Sequence, residues 1–467
     1  MQTTRYPLSD VRQHIIGIDT PIIRHSIGSG WAVNLDNAAS TPALRPAQAV
    51  VDRFLNWYSS IHRGAGMKSQ VSTAAYEDAR AIVGRFVGAR PDQHQVIFTR
   101  NTTEALNLLA RRINLRPGQV IISTEIEHHS NDLPWRGVAP VFYACANASG
   151  TLDEDHLSML LRQHAGRVRV VAVSGGSNVT GYIPNIHHLA ELAHAAGAEI
   201  VVDAAQLAAH RVIDMGNLDD PAHLDYVAIS GHKLYAPYGS GALIGRADTF
   251  ALGAPMLVGG GSVRRVTPRI VDWADGPARD EAGTPNVVGA VALAAALAVI
   301  DEIGVPTIAA HEAEITAYAI NRLCAVPGLR LYGDDRPELA HTRLGVLPFS
   351  LSTHSPHLVA TILSCEYGIA VRSGSFCAQP YLRRLLNTPH VGCTHGTAGL
   401  VRASFGIYNT TSEVDVLADA LLATARGAFD GAYGIDPATG SYHRHGWSVN
   451  PAEHFHFDLV PGSRLAR

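Results

Sequence analysis

The chain is short of charge and of cysteine, and it has no long apolar run. Lys and Arg number 37 and Asp and Glu 41 in 467 residues, a formal net charge of −4. Without a basic excess it lacks the electrostatic footprint of a nucleic-acid binder and the polybasic signal of a membrane-surface protein. No nucleic-acid or membrane partner is therefore expected. The longest apolar run, Val287 to Ile300 between Asn286 and Asp301, is rich in Ala and too short to span a bilayer. It reads as a buried helix. Met1 to Thr20 carries Arg5, Asp10, Arg12 and Asp19 and holds no secretory apolar stretch. The five cysteines, Cys145, Cys324, Cys365, Cys377 and Cys393, form no C-x-x-C pair. An odd count in a long chain does not describe a disulfide framework. Free thiols in a reducing, cytoplasmic setting are the expectation. Internal repeats and low-complexity linkers are absent.

What is present is core-forming sequence, 46% hydrophobic, enough for one large domain and a smaller one. Short β-type runs recur at Val96–Phe98, Gln119–Ser123, Val141–Ala144, Val168–Val173, Glu199–Val202, Tyr226–Ile229 and Ala242–Ile244. Amphipathic stretches such as Thr103–Arg112, Leu152–Gln163 and Ile186–Ala196 lie between them. This alternation predicts an α/β fold with a mostly parallel, helix-covered sheet. Past the Gly304-Val305-Pro306 break the pattern changes. Val305–Cys324 and Ser412–Arg426 read as helices, and Leu344–Leu351 and Ile369–Val371 as strands. The expected division is an N-terminal segment, 1–40, packing with the small domain, a large domain, 41–303, a smaller C-terminal α+β domain, 304–430, and an irregular extension, 431–467. The extension holds His443, His445, His454 and His456, whose spacing fits no metal site, and no metal is expected.

Ligands in such sheets bind outside the carboxyl ends of the strands. Two residues stand there with complementary chemistry. Lys233, in Ser230-Gly231-His232-Lys233, follows the Tyr226–Ile229 run in a Gly-rich turn, placed for a Schiff base. Asp203 ends the Ile200–Val202 run. A lysine that condenses with an aldehyde and an aspartate that holds a pyridinium nitrogen are what pyridoxal phosphate (PLP) requires. Gln206, three residues on, is within reach of a second ring substituent. Asn101 is suited to cap a helix opened by Thr102-Thr103-Glu104, in a capping-box pattern. That helix start offers free N–H groups and two hydroxyls to a phosphate. His128, in Glu127-His128-His129-Ser130-Asn131, is placed either to stack on a flat ring or to serve structurally. Ser177-Asn178 falls on the same sheet edge. Cys377, in Arg372-Ser373-Gly374-Ser375-Phe376-Cys377, sits in a loop suited to a nucleophile, whereas Cys365 reads as buried. Arg402, on a β-type run, is suited to grip a carboxylate through two parallel hydrogen bonds.

These motifs, together with Leu35–Pro42, His62-Arg63-Gly64, Glu281–Asn286 and Arg402-Ala403-Ser404, occur in one order across about residues 30 to 430. The chain thereby resembles the cysteine desulfurase and selenocysteine lyase group of the class V aminotransferases. The resemblance implies a fold-type I PLP enzyme working as a homodimer. Lys233 is then the Schiff-base lysine and Asp203 the partner of the pyridinium nitrogen. Gln206 contacts the ring oxygen, and His128 stacks on the ring. Thr102, Thr103, Ser230 and His232 hold the phosphate, and Thr284 reaches the partner subunit's phosphate. Asn178, Arg372 and Arg402 bind the amino-acid substrate, L-cysteine or a relative. Cys377 takes the sulfur as a persulfide, alanine leaves, and an acceptor protein receives the sulfur.

The chain departs from the group's pattern at Ser375 and Phe376, at Gly66, and at Gly175 or Gly176, where histidines are common. The stretch Tyr381–Leu400, with Cys393 and His395, runs about ten residues beyond a usual short loop. These departures motivate a second reading, a PLP-dependent C–S lyase or aminotransferase acting on a larger amino acid. A reading of another class is a catalytically silent sulfur-relay partner.

Overall fold

The β-type runs pair into one seven-stranded sheet. The computed structural model describes residues 5–24, 28–388, 398–437 and 440–455. The strands are β1 (His94–Thr99), β2 (Val120–Thr124), β3 (Val141–Ala144), β4 (Val168–Ser174), β5 (Glu199–Asp203), β6 (Tyr226–Ser230) and β7 (Gly241–Arg246), in the order β1-β7-β6-β5-β4-β2-β3. Strands β6, β5, β4, β2 and β3 are mutually parallel, while β7 runs antiparallel to both β6 and β1. Every residue of β2 and β6 is buried, as expected of strands covered on both faces.

The covering helices include α1 (Arg45–Leu55), α2 (Met67–Phe86), α3 (Thr102–Arg112), α4 (Glu154–Gln163), α5 (Ile186–Ala195) and α6 (Val287–Ile303). The Ala-rich run is the heart of α6, which packs on α1 and α2 with most of its residues buried. Helix α7 (Val305–Cys324) follows at a bend of 74°. No single helix among the described residues is long and apolar enough to cross a membrane.

A second, antiparallel sheet orders β8 (Leu329–Leu331), β9 (Val346–Leu351), β11 (Leu400–Ser404) and β10 (Arg372–Gly374) as β8-β9-β11-β10. Helix α9 (Thr411–Ala425) packs in its core, whereas α8 (Gln379–Leu386) buries Tyr381 and Leu382 in the core of the large sheet. Near the N-terminus, Val33–Asn34 pairs in parallel with Ile369–Ala370, and Asp36 bridges to Ser404.

Three local details differ from the sequence reading. The run Ile369–Val371 is not one strand: Ile369–Ala370 joins the N-terminal segment, and β10 begins at Arg372. The extension after Gly431 is not wholly irregular, because Tyr433–Ile435 and Tyr442–Arg444 form a hairpin docked through the Tyr433 hydroxyl on Glu366. The cap of α3 is a variant of the expected box. Asn101 accepts from the Glu104 N–H, but the Glu104 carboxylate reaches back to the Arg100 N–H instead of that of Asn101. Cys393, His395 and His456 lie outside the described residues.

Candidate active site

The carboxyl ends of β4, β5 and β6 and the start of α3 surround a cavity of about 540 Å³. Of the residues singled out in the sequence, Lys233, Cys377, His128, Asp203, Gln206, Thr102, Thr103, Ser230, His232, Asn178, Arg372 and Arg402 all line it. Thr284 does not. It lines a second cavity of about 640 Å³ with His62 and Arg63.

Lys233 closes a single 3-10 turn, Gly231–Lys233, directly after β6. A Cβ on Gly231 would stand 2.7 Å from the Ser240 carbonyl oxygen and 3.0 Å from that of Ala236, so the turn closes only around glycine. Burial lowers the Lys233 amine to about 8, against the opposing pull of Asp203. Asp203 is itself raised by burial, while the Ala205 N–H on its Oδ1 at 3.0 Å and the charge of Lys233 act the other way. Desolvation thus brings each group of this acid–base pair nearer the other. The chain contains only two lysines, and the other, Lys68, is exposed on α2.

The N-terminus of α3 forms one wall. The Thr102 N–H donates to Ser230 Oγ at 3.2 Å, and Thr103 Oγ1 shares a hydrogen bond with Ser130 Oγ at 2.7 Å. Thr102 Oγ1 is buried with no hydrogen-bond partner. A buried hydroxyl left unpaired at the positive end of a helix is a donor awaiting an anion. The His128 ring lines the cavity, and burial, with the charges of Lys233, His129 and Arg402, lowers it to about 3. It is therefore neutral at physiological pH. Its Nδ1 accepts the Ser130 N–H at 3.1 Å, which leaves the ring proton on Nε2. His232 is lowered to about 4, chiefly by burial. The Gln206 side-chain amide donates to the Ala38 carbonyl at 2.8 Å and so ties the N-terminal segment to the cavity floor.

The loop carrying Cys377 is held under backbone strain. Phe376 and Cys377 have φ of 53° and 54°, the left-handed region that side chains disfavour. Each such residue costs on the order of 1–3 kcal/mol and persists only where its surroundings hold it. Two contacts do so. Asn178 Nδ2 donates to the Phe376 carbonyl and the His129 N–H to the Cys377 carbonyl, each at 2.7 Å. The Gln379 N–H also donates to His129 Nε2, at 3.3 Å. Cys377 is exposed to the cavity, while Cys365 is buried. Asn178, read from the sequence as a substrate ligand, thus has one side-chain N–H engaged in holding the Cys377 loop.

Arg402, on β11, is oriented by Asp36. Its guanidinium donates to Asp36 Oδ1 at 3.1 Å and to the Asn178 carbonyl at 3.0 Å, while Arg372 pairs with Asp36 Oδ2 at 2.9 Å. The Phe376 ring covers the guanidinium, 5.0 Å from its centre. Arg402 Nε is buried and has no partner. Burial lowers Arg402 to about 10, with Asp36 opposing. One carboxylate thus aims two arginines and leaves Nε for a ligand. Asp36→Asn weakens both charge-assisted contacts. At about 1.5–3 kcal/mol for hydrogen bonds to charged groups, it raises KM for an amino-acid substrate about 10–100-fold, with a smaller change in kcat, in steady-state kinetics.

Sequence reasoning passed over the roles of Asp36, His129 and Glu127, although each lies inside a quoted motif. Glu127 is buried beside His128 and accepts from Thr124 Oγ1, Asn131 Nδ2 and the Ser174 N–H, at 2.6, 2.7 and 2.9 Å. Burial, opposed by these bonds, raises it to about 7. Its adjacency to a flagged histidine was the available signal.

Residues 33–417 match the family described as aminotransferase class-V. The cysteine desulfurase of Haloferax volcanii is 36% identical over 87% of this chain and 95% of its own length. That of Dickeya dadantii is 37% identical over 88% and 95%. Among solved structures, the apo cysteine desulfurase from Thermococcus onnurineus NA1 matches with a TM-score of 0.79 at 32% identity, over 91% of this chain and 100% of that one. The cysteine desulfurase CsdA from Escherichia coli, solved in its S-sulfonic acid form, matches at 0.76 and 32%, with the same coverage. By sequence over most of its length, and by its fold, the chain belongs to the aminotransferase class-V family, in the group named cysteine desulfurases.

Proposed function

We propose that the chain is a PLP-dependent cysteine desulfurase, converting L-cysteine to L-alanine and retaining the sulfur as a persulfide on Cys377. The observation that carries this reading is one cavity holding a depressed lysine amine, a carboxylate, an exposed thiol and a buried arginine.

The donor set fits the cofactor. Thr102, Thr103, Ser230 and His232 would hold its phosphate, with the orphaned Thr102 hydroxyl satisfied at last. Asp203, Gln206 and His128 would hold its ring. When bound, PLP supplies an aldehyde that condenses with amines and a ring that takes up electron pairs. The chain's own residues do the rest. Arg402, aimed by Asp36 and flanked by Arg372, grips the substrate carboxylate. Lys233, as a neutral amine, removes the α-proton. Cys377 Sγ, as thiolate, attacks the substrate sulfur. The new S–S bond forms as the Cβ–S bond breaks, and the electron pair of the broken bond stays with Cβ, which takes a proton; return of a proton to Cα, in place of the one Lys233 removed, then gives alanine. Lys233 and Arg402 are the cations whose charges interact with Cys377. With Ser375 and Phe376 in the loop, no histidine immediately precedes it.

A homodimer completes the proposal. Thr284 lies in the second cavity, whose lining includes none of its own chain's other cofactor residues. Leu257, Val258 and Val266, on the adjoining segment, are exposed large apolar residues suited to cover by another copy. A cytoplasmic setting and an acceptor protein for the persulfide belong to the same reading.

Incubating the pure enzyme with L-cysteine gives alanine and adds one sulfur atom to the peptide carrying Cys377. Pyruvate and ammonia without that added mass would instead identify a C–S lyase. A further test follows from the lysine. Covalent capture needs the neutral amine, and that fraction grows as pH rises past the pKa. Capture of PLP by the cofactor-free enzyme should accelerate with pH and reach half its plateau near pH 8. A midpoint near the ordinary lysine value of 10.5 would contradict the buried setting.

A further inference from the structure

At the far end of β6 from Lys233, three side chains converge. His194 Nε2 lies 2.8 Å from Asp225 Oδ2, and His223 Nε2 lies 3.2 Å from Asp225 Oδ1. The candidate ligand atoms all lie within 4.8 Å of one another. The two imidazoles stack, with centroids 4.1 Å apart and planes at 19°. The side chains of Asp225, His223 and His194 are 0%, 8% and 16% exposed.

The far side of each ring restricts what can stand between them. His194 Nδ1 lies 2.6 Å from the Pro221 carbonyl oxygen, and His223 Nδ1 lies 2.5 Å from that of Asp220. A carbonyl only accepts, so each Nδ1 carries a proton and donates it. A neutral ring in that tautomer turns its Nε2 lone pair outward, and both lone pairs then meet the Asp225 carboxylate. Lone pair against lone pair repels unless a cation stands between. A proton is the competing occupant, and the bond to Asp225 does raise His194 against its burial; protonating both rings, however, sets two imidazolium rings face to face beside Arg246, whose Nη1 is 3.2 Å from Oδ1. A single divalent ion satisfies both nitrogens and the carboxylate with both rings neutral, the rings turning out of their near-parallel stack so that both Nε2 lone pairs face it. Arg246 and the Ile200 N–H, 2.8 Å from Oδ2, each take one lone pair of the carboxylate, leaving one per oxygen. Nδ1–H groups donating to backbone carbonyls are the outer shell that orients metal-bound histidines.

We propose that His194, His223 and Asp225 bind a divalent transition metal of the zinc class through two imidazole Nε2 atoms and one carboxylate oxygen. Such an ion joins the end of α5, the turn at 220–223 and the start of β6, with β5 and β7 held through Ile200 and Arg246. The length of β6, at about 3.3 Å per residue, sets it roughly 15–20 Å from Lys233, so it takes no direct part in the chemistry there.

The test uses the PLP-loaded enzyme and Co²⁺. After equilibrium dialysis, the wild type retains one equivalent of Co²⁺ per chain, measured by mass spectrometry of the metal, and melts at a higher temperature. Cys377→Ser retains the same equivalent, which excludes the thiol as ligand. His223→Ala and His194→Asn keep cofactor absorbance and a cooperative melt. They weaken retention by more than the roughly 10–100-fold that an outer-shell loss costs, and Co²⁺ no longer shifts their melting. X-ray absorption at the cobalt edge of the wild type, which does not depend on the variants folding, shows imidazole ligands and no sulfur. Failure of the wild type to retain Co²⁺, equal retention by His223→Ala, or sulfur ligation overturns the proposal.

Discussion

Lys233→Ala abolishes covalent capture of PLP and lowers alanine formation by at least about 1,000-fold. Positioned acid–base groups alone supply about 10²–10⁴-fold, and this residue also supplies the amine that condenses with the cofactor. Replacement from within the protein is ruled out by composition, since the one other lysine is Lys68 on the exposed face of α2. Substitution by alanine also leaves Asp203 without the cation that opposes its burial. Borohydride reduction followed by peptide mapping reads the result: the wild type carries the label at Lys233, and the variant carries none. Label at Lys68, or none in the cofactor-loaded wild type, would overturn the assignment.

Cys377→Ala leaves cofactor absorbance intact, because no phosphate or ring partner is altered. It stops persulfide formation and lowers alanine release from L-cysteine by at least about 100-fold, the lower end of what a positioned catalytic group provides. No other described cysteine lines the cavity. Cys365 is buried, Cys145 half-buried, and Cys324 sits exposed on α7. Desolvation, strongest for Cys365 and partial for Cys145 and Cys324, also raises these three thiols, which disfavours the thiolate. Unchanged alanine yield in the variant would sink the role given to Cys377 and favour chemistry in which the substrate sulfur leaves without being captured.

Both predictions rest on residues whose signals are local. Asp203 ends a run of buried strand residues and Lys233 closes the turn that follows another, and the alternation of strand and helix already places such ends on one edge of the sheet. The cap at Asn101 was equally legible, because capping is a matter of three or four neighbouring residues. Where local signals were weak the reading slipped. The hairpin at 433–444 carries no strict alternation, and the Glu104 side chain chose between two adjacent N–H groups on geometry alone.

The contacts that tune the site are of another kind. Asp36 reaches Arg402 across 366 positions, and Asn178 reaches the Phe376 carbonyl across 198. Neither pairing leaves a trace in periodicity or composition. The engagement of Asn178 with the loop, beside its place in the cavity lining, is an example. Its place on the sheet edge was read from its motif, yet its donor went to whichever carbonyl the folded chain brought within 2.7 Å. The same holds for His194, His223 and Asp225, whose spacing along the chain resembles no metal motif.

Residue order was thus enough to specify the fold class, the family and the identities of the groups that line the cavity, since those follow from patterns among near neighbours. Which of those groups are free to meet a ligand, and which are engaged in holding one another, was settled by folding. Desolvation and hydrogen bonding act through space, and they join residues that the chain keeps hundreds of positions apart.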